Sequence, residues 1–343
     1  MLPEIGKVDR ASFDKIIFPH LGKKDPTVLI GPQHGVDAAA IELPDGSIMV
    51  VKEDPTFGLP VLMPHFGWAI VHICASDVAC LGVKPRYLLI SLLLPPGTPS
   101  GTLMSIWAEV HQECEKLGIA IIGGHTGIYP GIAYPLNGGC TIIGLGTRSQ
   151  LTPASNAKVG DHIIMTKGPA IEATGILAFQ AEKTLQQKFG KETVEKGKAH
   201  FFEMTVVADA MIAAPNAHAM HDATEGGVLN GVFEIAAASN TGVTIFEDRI
   251  TIPAETEQIC AHFGIDPLTS ISEGTLLIAA AAEKTARILS DLKKGGISAF
   301  DVGEITATER LLVRRNGQRE ELRPVAVDPF WAAYFSTLEA TNE

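Results

Sequence analysis

Between His218 and Glu234 the chain reads His-Ala-Met-His-Asp-Ala-Thr-Glu-Gly-Gly-Val-Leu-Asn-Gly-Val-Phe-Glu, and the fold is read outward from here. Small apolar residues lead into Asp222, and Gly226 and Gly227 follow. Apolar residues then recur at Val228, Leu229, Val232, Phe233, Ile235 and Ala236. That spacing is helical, so the Asp-Ala-Thr-Glu-Gly-Gly segment is expected where a turn becomes a helix N-terminus. Free backbone N–H groups at such an end, with glycines permitting close approach, suit a phosphate or a carboxylate. Thr224 is placed to cap the helix, and Asp222 and Glu225 to hold a cation that bridges to phosphate. An ordinary N-cap with a glycine turn has the same letters, so the rest of the chain must decide.

A chain of 343 residues exceeds what one hydrophobic core usually serves, which predicts two domains. We place them at 1–150 and 151–343, with the polar, turn-rich stretch from Arg148 to Lys158 as the linker. Composition is globular, 46% hydrophobic and 19% charged. The formal charge of −12 argues against nucleic acid or an anionic membrane as the main partner. It leaves room for a nucleotide, which local amides and a metal can hold. The five cysteines (Cys74, Cys80, Cys114, Cys140, Cys260) include no Cys-x-x-Cys pair, so reduced, structural thiols in a cytoplasmic protein are expected. The N-terminal Met-Leu-Pro-Glu-Ile-Gly-Lys has no signal-peptide core, and the apolar run near Leu88 to Pro96 is too short to span a bilayer.

In the first half, strands are expected at Thr27–Ile30, Ala38–Ile41 and Ser47–Val51, the last two joined by a Leu43-Pro44-Asp45-Gly46 hairpin turn. Asp37 opens one of these strands, and Lys52, Glu53 and Asp54 close the next, so Asp37 and Asp54 share one edge of the sheet. Pro64–Leu81 reads as a helix with Asp77 set among small apolar residues, where a lone carboxylate is costly unless paired or bound to a cation. Arg86–Leu94 reads as an apolar strand and Ser100–Leu117 as an amphipathic helix. A buried strand at Ile119–Ile122 is expected to end in a ligand-facing turn, Gly123-Gly124-His125-Thr126-Gly127. Gly138–Thr147 supplies a further strand. His34, His65 and His125 lie near the acids in this layout and permit a transition-metal site, although unrelated histidines are the plainer reading.

In the second half, a strand from Gly160-Asp161 to Met165 runs into Thr166-Lys167-Gly168-Pro169 and then a helix. Lys167 and Gly168 are therefore a second candidate anion site, without the Gly-Lys-Thr order of a P-loop. Gln186 to His200 reads as a charged helical insertion. Ile271-Ser272-Glu273-Gly274-Thr275 leads into the apolar strand Leu276–Ala281. The mixture of elements gives an α+β class for both halves.

With Asp37, Asp77, the Gly-Gly-His-Thr turn and Asp-Ala-Thr-Glu-Gly-Gly in this order, the chain resembles the superfamily of aminoimidazole ribonucleotide (AIR) synthetase, or PurM. That superfamily includes thiamine-monophosphate kinase, selenophosphate synthetase and the hydrogenase-maturation protein HypE. The second half is most similar to HypE, through His218–Glu234, Phe263-Gly264-Ile265-Asp266-Pro267-Leu268 and Ser272-Glu273-Gly274. His65-Phe66 and the run from Ser76-Asp77 to Lys84-Pro85 also resemble the thiamine-monophosphate kinases.

The resemblance implies a two-domain PurM/HypE-like architecture. Its N-terminal domain forms a homodimer through its sheet, and its C-terminal α/β-sandwich domain covers a nucleotide. It implies ATP with Mg2+, or Mn2+ in its place, and phosphorylation of a small or protein-borne substrate, or activation of an amide oxygen that leaves as phosphate. Carried over by position, Asp37, Asp77 and Asp222 are metal ligands. Lys52, Asp54 and His125 become candidate catalytic or substrate-contacting residues. Gly123, Gly124, Thr126, Lys167, Gly168, Thr224, Glu225, Gly226 and Gly227 join the three metal ligands around the nucleotide. A phosphomonoester kinase and a nucleotide-binding partner subunit without turnover remain open alternatives. This chain departs from the family pattern at Val36, where an acid is usual, and at His125, where Asp or Glu is usual. Its Pro329-Phe330-Trp331-Ala332-Ala333-Tyr334-Phe335 segment lacks the cysteine of the HypE tail and is expected to dock on the domain surface.

Overall fold

Alternating aliphatic and polar residues after Thr27 form a meander of β1 (Val28–Ile30), β2 (Ala39–Glu42) and β3 (Ile48–Phe57) in the computed structural model, which describes residue 8 and residues 10–132 and 134–340. The hairpin between β2 and β3 turns at Gly46 (φ 82°), and Asp45 accepts the Ser47 N–H at 2.9 Å. β3 runs six residues beyond the Ser47–Val51 expectation because β6 (Asn137–Gly146) pairs with its whole length. With β4 (Pro85–Leu94) and β5 (Ala120–Ile128) the sheet order is β1-β2-β3-β6-β4-β5.

The expectation of a buried strand ending in a glycine turn is corrected here. Gly123 to Gly127 are strand residues of β5, and β5 is the exposed edge of the sheet, parallel to β4 alone. The glycines serve pairing, not a turn. A Cβ on Gly124 (φ 145°) would lie 1.9 Å from the Ile90 carbonyl oxygen.

Two helices, Phe66–Cys80 and Ser100–Leu117, pack together, and the first lies on β3 and β6. With the 3-10 turn before it, Pro60–Cys80 is long and apolar enough to cross a membrane. Burial explains that apolarity: Val71, Ala75, Val78 and Ala79 are fully enclosed, and the helix also packs on Val207–Ala213 of the second half.

The second sheet holds β7 (Asp161–Thr166), β8 (Ala219–Asp222), β9 (Gly242–Phe246), β10 (Leu276–Ala281), β11 (Ala299–Thr306), β12 (Arg310–Val313) and β13 (Arg319–Glu321). Their order is β13-β12-β9-β11-β7-β10-β8, antiparallel except where β12 meets β9. The charged insertion forms two helices, Glu182–Phe189 and Lys191–Ala199, separated at Gly190. The C-terminal helix Pro329–Ala340 buries Phe330 and Tyr334 in a cluster with Ile171, Leu177 and Phe201.

The stretch from Arg148 to Lys158 is stitched to both halves. Thr152 donates its hydroxyl to Cys80 O at 2.9 Å and its N–H to Leu81 O at 3.2 Å, while its own carbonyl accepts the Met220 N–H at 2.9 Å. One hydrophobic cluster accordingly holds Val71 and Leu92 together with Val206, Ala210 and Ile278. Ser76, wholly buried, makes a second stitch, since its hydroxyl donates to His72 O at 2.8 Å and accepts the Val206 N–H at 2.9 Å. Ser76→Ala leaves that buried N–H without its acceptor, so the unfolding free energy from urea denaturation is expected to fall by about 1–3 kcal/mol.

Candidate active site

The acids converge because three elements point their ends at one place. Asp37 precedes β2, Asp77 lies in the last turns of Phe66–Cys80, and Asp222 is the final residue of β8. Each is buried, with 7%, 5% and 1% of its surface exposed. β3 adds Lys52 and Asp54 on the same side, and Lys52 Nζ lies 3.0 Å from Asp77 Oδ1 and 3.3 Å from Asp54 Oδ1. Burial alone would depress the Lys52 ammonium, but Asp77, Asp54 and Asp222 outweigh it and hold its pKa well above the usual value. Lys52 is therefore a fixed positive charge. Asp77 is driven the other way: burial first, then Asp54 and Asp222, raise its pKa far beyond the relief that Lys52 provides.

Asp37 is held by a group that sequence reasoning did not single out. His221 Nδ1 lies 2.6 Å from Asp37 Oδ1, and its Nε2 lies 2.9 Å from Glu234 Oε2. Burial disfavours charge on this ring, yet Asp37 and Glu234 prevail and keep it protonated, so both N–H groups donate. Arg10 closes the row, 3.6 Å from Glu234. Cys80 was also missed as a site residue. It brings its sulfur to within 4.8 Å of one carboxylate oxygen each of Asp37 and Asp222, which lie equally close to each other.

These residues fit a divalent cation. Glu273, 4% exposed, faces the same acids, and burial, then Asp222 and Asp77, push its pKa well above the usual value. Its Oε1 has no hydrogen-bond partner among the described residues. Buried carboxylates crowded this way, with Lys52 and His221 set among them, favour added positive charge. The legible signals for the missed residues were slight: a histidine before Asp222, a thiol after Asp77, and an acid at the mouth of an apolar strand.

Other expected site residues are placed differently. Thr224 does not cap the helix Gly227–Ala238; the N-cap is Gly226, in left-handed conformation (φ 83°), and the Thr224 carbonyl accepts the Gly227 N–H at 3.0 Å. A side chain at Gly227 (φ 64°) would sit 2.7 Å from Ser270 O, so the loop closes tightly there. The Gly226 N–H donates to Asp328 Oδ2 at 2.7 Å, and Glu225 accepts the Trp331 indole N–H at 3.2 Å. A carboxylate of this chain thus fills the anion position.

Lys167 is likewise corrected. Its ammonium lies 2.8 Å from Asp209 Oδ1 and donates to Thr205 O and Gly274 O at 2.8 and 2.6 Å, so it is committed within the protein. Gly168 accepts the Thr275 hydroxyl through its carbonyl. Gly123, Gly124, His125 and Thr126 stand exposed on the β5 edge, where His125 Nε2 meets the Tyr129 hydroxyl at 2.7 Å. His125 contributes no donor to the Asp37–Cys80–Asp222 group; His34 pairs with Asp14, and His65 lies beside Glu109.

Asp328 sets a pH signature. Burial, reinforced by Glu225 and opposed by the Gly226 and Phe330 N–H groups, lifts its pKa from 3.8 to about 6. The folded chain therefore binds this proton more tightly than the unfolded chain, and the stability it contributes is lost as pH rises from about 4 to about 6. In Asp328→Asn, urea denaturation across that range is expected to show a shallower decline than in the wild type.

The AIR synthase related protein C-terminal domain family matches residues 158–315, and the corresponding N-terminal domain family matches residues 35–145. A hydrogenase expression/formation protein of Methanocaldococcus jannaschii is 27% identical, over 84% of each chain. The carbamoyl dehydratase HypE of Cupriavidus necator is 26% identical over 82% of this chain and 80% of its own. Among solved structures, hydrogenase maturation protein HypE in complex with ATP superposes with a TM-score of 0.67 at 21% identity, covering 93% of both chains. The thiamine monophosphate kinase of Aquifex aeolicus gives 0.67 at 17% identity, covering 83% of this chain and 93% of its own. Both halves of the chain are matched, in the expected order, and the protein belongs to the AIR synthase related proteins.

Proposed function

We propose that this chain is an ATP-dependent enzyme of the HypE type, which phosphorylates a small or protein-borne substrate on oxygen, or activates an amide oxygen that departs as phosphate. One observation carries the reading: Asp77 and Asp222, from separate segments, lie buried beside the Lys52 ammonium, and Asp37 joins Asp222 at Cys80. The likeness to a HypE structure with ATP supports that nucleotide. The carbamoyl dehydratase name of a relative supports the dehydrating outcome.

Asp37, Asp77 and Asp222 would hold the metal. A magnesium ion held there would supply positive charge against the phosphoryl group in transfer. The protein supplies position. His221 fixes the orientation of Asp37 from behind, and Asp77 and Asp54 pin Lys52 where its charge meets an incoming phosphate. Lys52 and Asp54 each keep 22% of their side chains exposed, more than Asp77, so they are the groups a substrate reaches first. Calorimetric titration with a non-hydrolysable ATP analogue is expected to give binding that requires Mg2+ or Mn2+. Asp37→Asn and Asp77→Asn should each weaken it roughly tenfold or more, about 1.4 kcal/mol. Unchanged affinity in both would remove the assigned site, and product analysis separates free phosphate from a phosphorylated substrate.

A second reading, a partner subunit that does not turn over nucleotide, draws support from Asp328 at Gly226 and from the internal commitment of Lys167. It predicts neither free phosphate nor a phosphorylated product, whether or not nucleotide binds. Either reading favours a homodimer, because the β5 edge is open and carries exposed Ile122 and Ile128. Ile122→Glu combined with Ile128→Glu should halve the mass measured by light scattering.

A further inference from the structure

We infer that Glu234 is a positioning residue for Asp37, acting through His221, and that the N-terminal segment 10–20 closes on the same row of charges, so that its docking and cation binding at Asp37 strengthen each other. Both roles rest on the proposed reading of Asp37 as a cation ligand.

Asp37 has no regular element of its own. β1 ends at Ile30 and β2 starts at Ala39, so residues 31–38 take their place from what packs against them. The second half of the chain supplies one side. His221, 4% exposed, lies with Nδ1 2.6 Å from Asp37 Oδ1 and Nε2 2.9 Å from Glu234 Oε2. One hydrogen bond leaves an imidazole free to pivot. Two, on opposite sides of the ring, fix its plane and with it the direction from which Asp37 is held. Glu234 is carried by the helix Gly227–Ala238, and its backbone also seats the loop. A Cβ on Gly35 (φ 71°) would lie 3.1 Å from Glu234 Cβ and 3.3 Å from Glu234 O. Glu234 thus reaches the Asp37 loop twice, by packing at Gly35 and through His221.

The N-terminal segment supplies the other side. His34 Nε2 lies 2.9 Å from Asp14 Oδ1, and its ring meets Phe18 edge-on at 4.9 Å and Phe13 at 6.1 Å. Arg10, in the same segment, lies 3.6 Å from Glu234 Oε1. Charge therefore alternates along the row Arg10, Glu234, His221, Asp37. The grip is light. Ile16 and Ile17 are 51% and 44% exposed, and Arg10 keeps 41% of its side chain in solvent, so its ion pair alone contributes little. A segment attached by so few contacts opens readily. A cation that fixes Asp37 also steadies the His34 loop and the His221–Glu234 pair, which are the surfaces the segment grips. By linkage, docking of the segment favours the cation by the same factor.

The test uses the full chain with Mn2+ alone as the probe. Free Mn2+ is read by electron paramagnetic resonance, and amide hydrogen exchange of residues 10–20 by mass spectrometry. In the wild type, Mn2+ is expected to slow exchange in that segment about fivefold, and Asp37→Asn should abolish the protection. Glu234→Leu should weaken Mn2+ binding roughly tenfold. Glu234→Gln still accepts the Nε2–H and should recover most of the affinity, whereas a packing role would be served better by leucine. Arg10→Ala combined with Asp14→Asn should speed exchange of the segment and lower Mn2+ affinity by the factor with which Mn2+ slows exchange. Unchanged affinity in Glu234→Leu, or equal losses with leucine and glutamine, would overturn the positioning role. Exchange of residues 10–20 that is indifferent to Mn2+ in the wild type would overturn the coupling, and that measurement needs no variant to fold. A wild type that binds no Mn2+ would overturn the reading of Asp37 as a cation ligand, and both roles with it.

Discussion

Burial of like charge is the constraint on which this structure turns. Asp77, Asp222 and Glu273 are taken out of water beside one another, with Asp37 next to Asp222, and desolvation together with repulsion opposes the arrangement. The fold sustains it by placing two cations among them. Lys52 lies between Asp77 and Asp54, and His221 lies between Asp37 and Glu234. The Lys52–Asp77 and His221–Asp37 pairs each cross between separate elements. Asp37 and His221 are 184 residues apart, so the charge arrangement also joins the two halves of the chain.

Packing supplies the stability that the acids consume. The helix Phe66–Cys80 is built of small side chains on its buried side, and it fits between β3, β6 and the helix Val207–Ala213 because Ala75, Val78 and Ala79 leave no bulk. Asp77 is then the one acid in this helix, and its second half is otherwise apolar apart from Ser76. Its carboxylate is directed by the helix rather than by its own flexibility, and the same rigidity prevents it from escaping its neighbours. The Thr152 and Ser76 stitches work in the same direction, since they hold the carbonyl end of this helix and the start of Val207–Ala213 at fixed distances from β8.

Elements whose periodicity is local were legible in the sequence. Ser100–Leu117 has the expected bounds, and the hairpin at Pro44-Asp45-Gly46 follows from its turn residues. Asp77 stood out as an acid in an apolar helix, Asp37 as the start of a strand and Asp222 as the entry to a helix-start turn, and the resemblance joined them as one set. Features decided by partners far away in sequence were not legible. β3 continues past Val51 only because β6 is there to pair with it, and the glycines of β5 read as a turn until β4 is seen alongside. His221 and Cys80 look like ordinary core residues until Asp37 arrives. Lys167 has the letters of an anion site, but Asp209 and two carbonyls claim its ammonium, and no local pattern announces them.

The same distance effect governs the glycine loop. Gly226 presents its N–H at the helix start as a phosphate site would, and the helix dipole favours whatever anion reaches it. In this chain the anion is Asp328, brought back across the second half by the docking of Phe330 and Tyr334. A neutral carboxylic acid is a weaker acceptor than a carboxylate, and Asp328, with its pKa near 6, is only partly ionised in mildly acidic solution. Under the proposed function, a phosphate arriving at this loop competes with a tethered carboxylate for the Gly226 N–H. Apolar burial of the C-terminal helix anchors that competitor, so the openness of the loop depends on a packing contact as much as on charge.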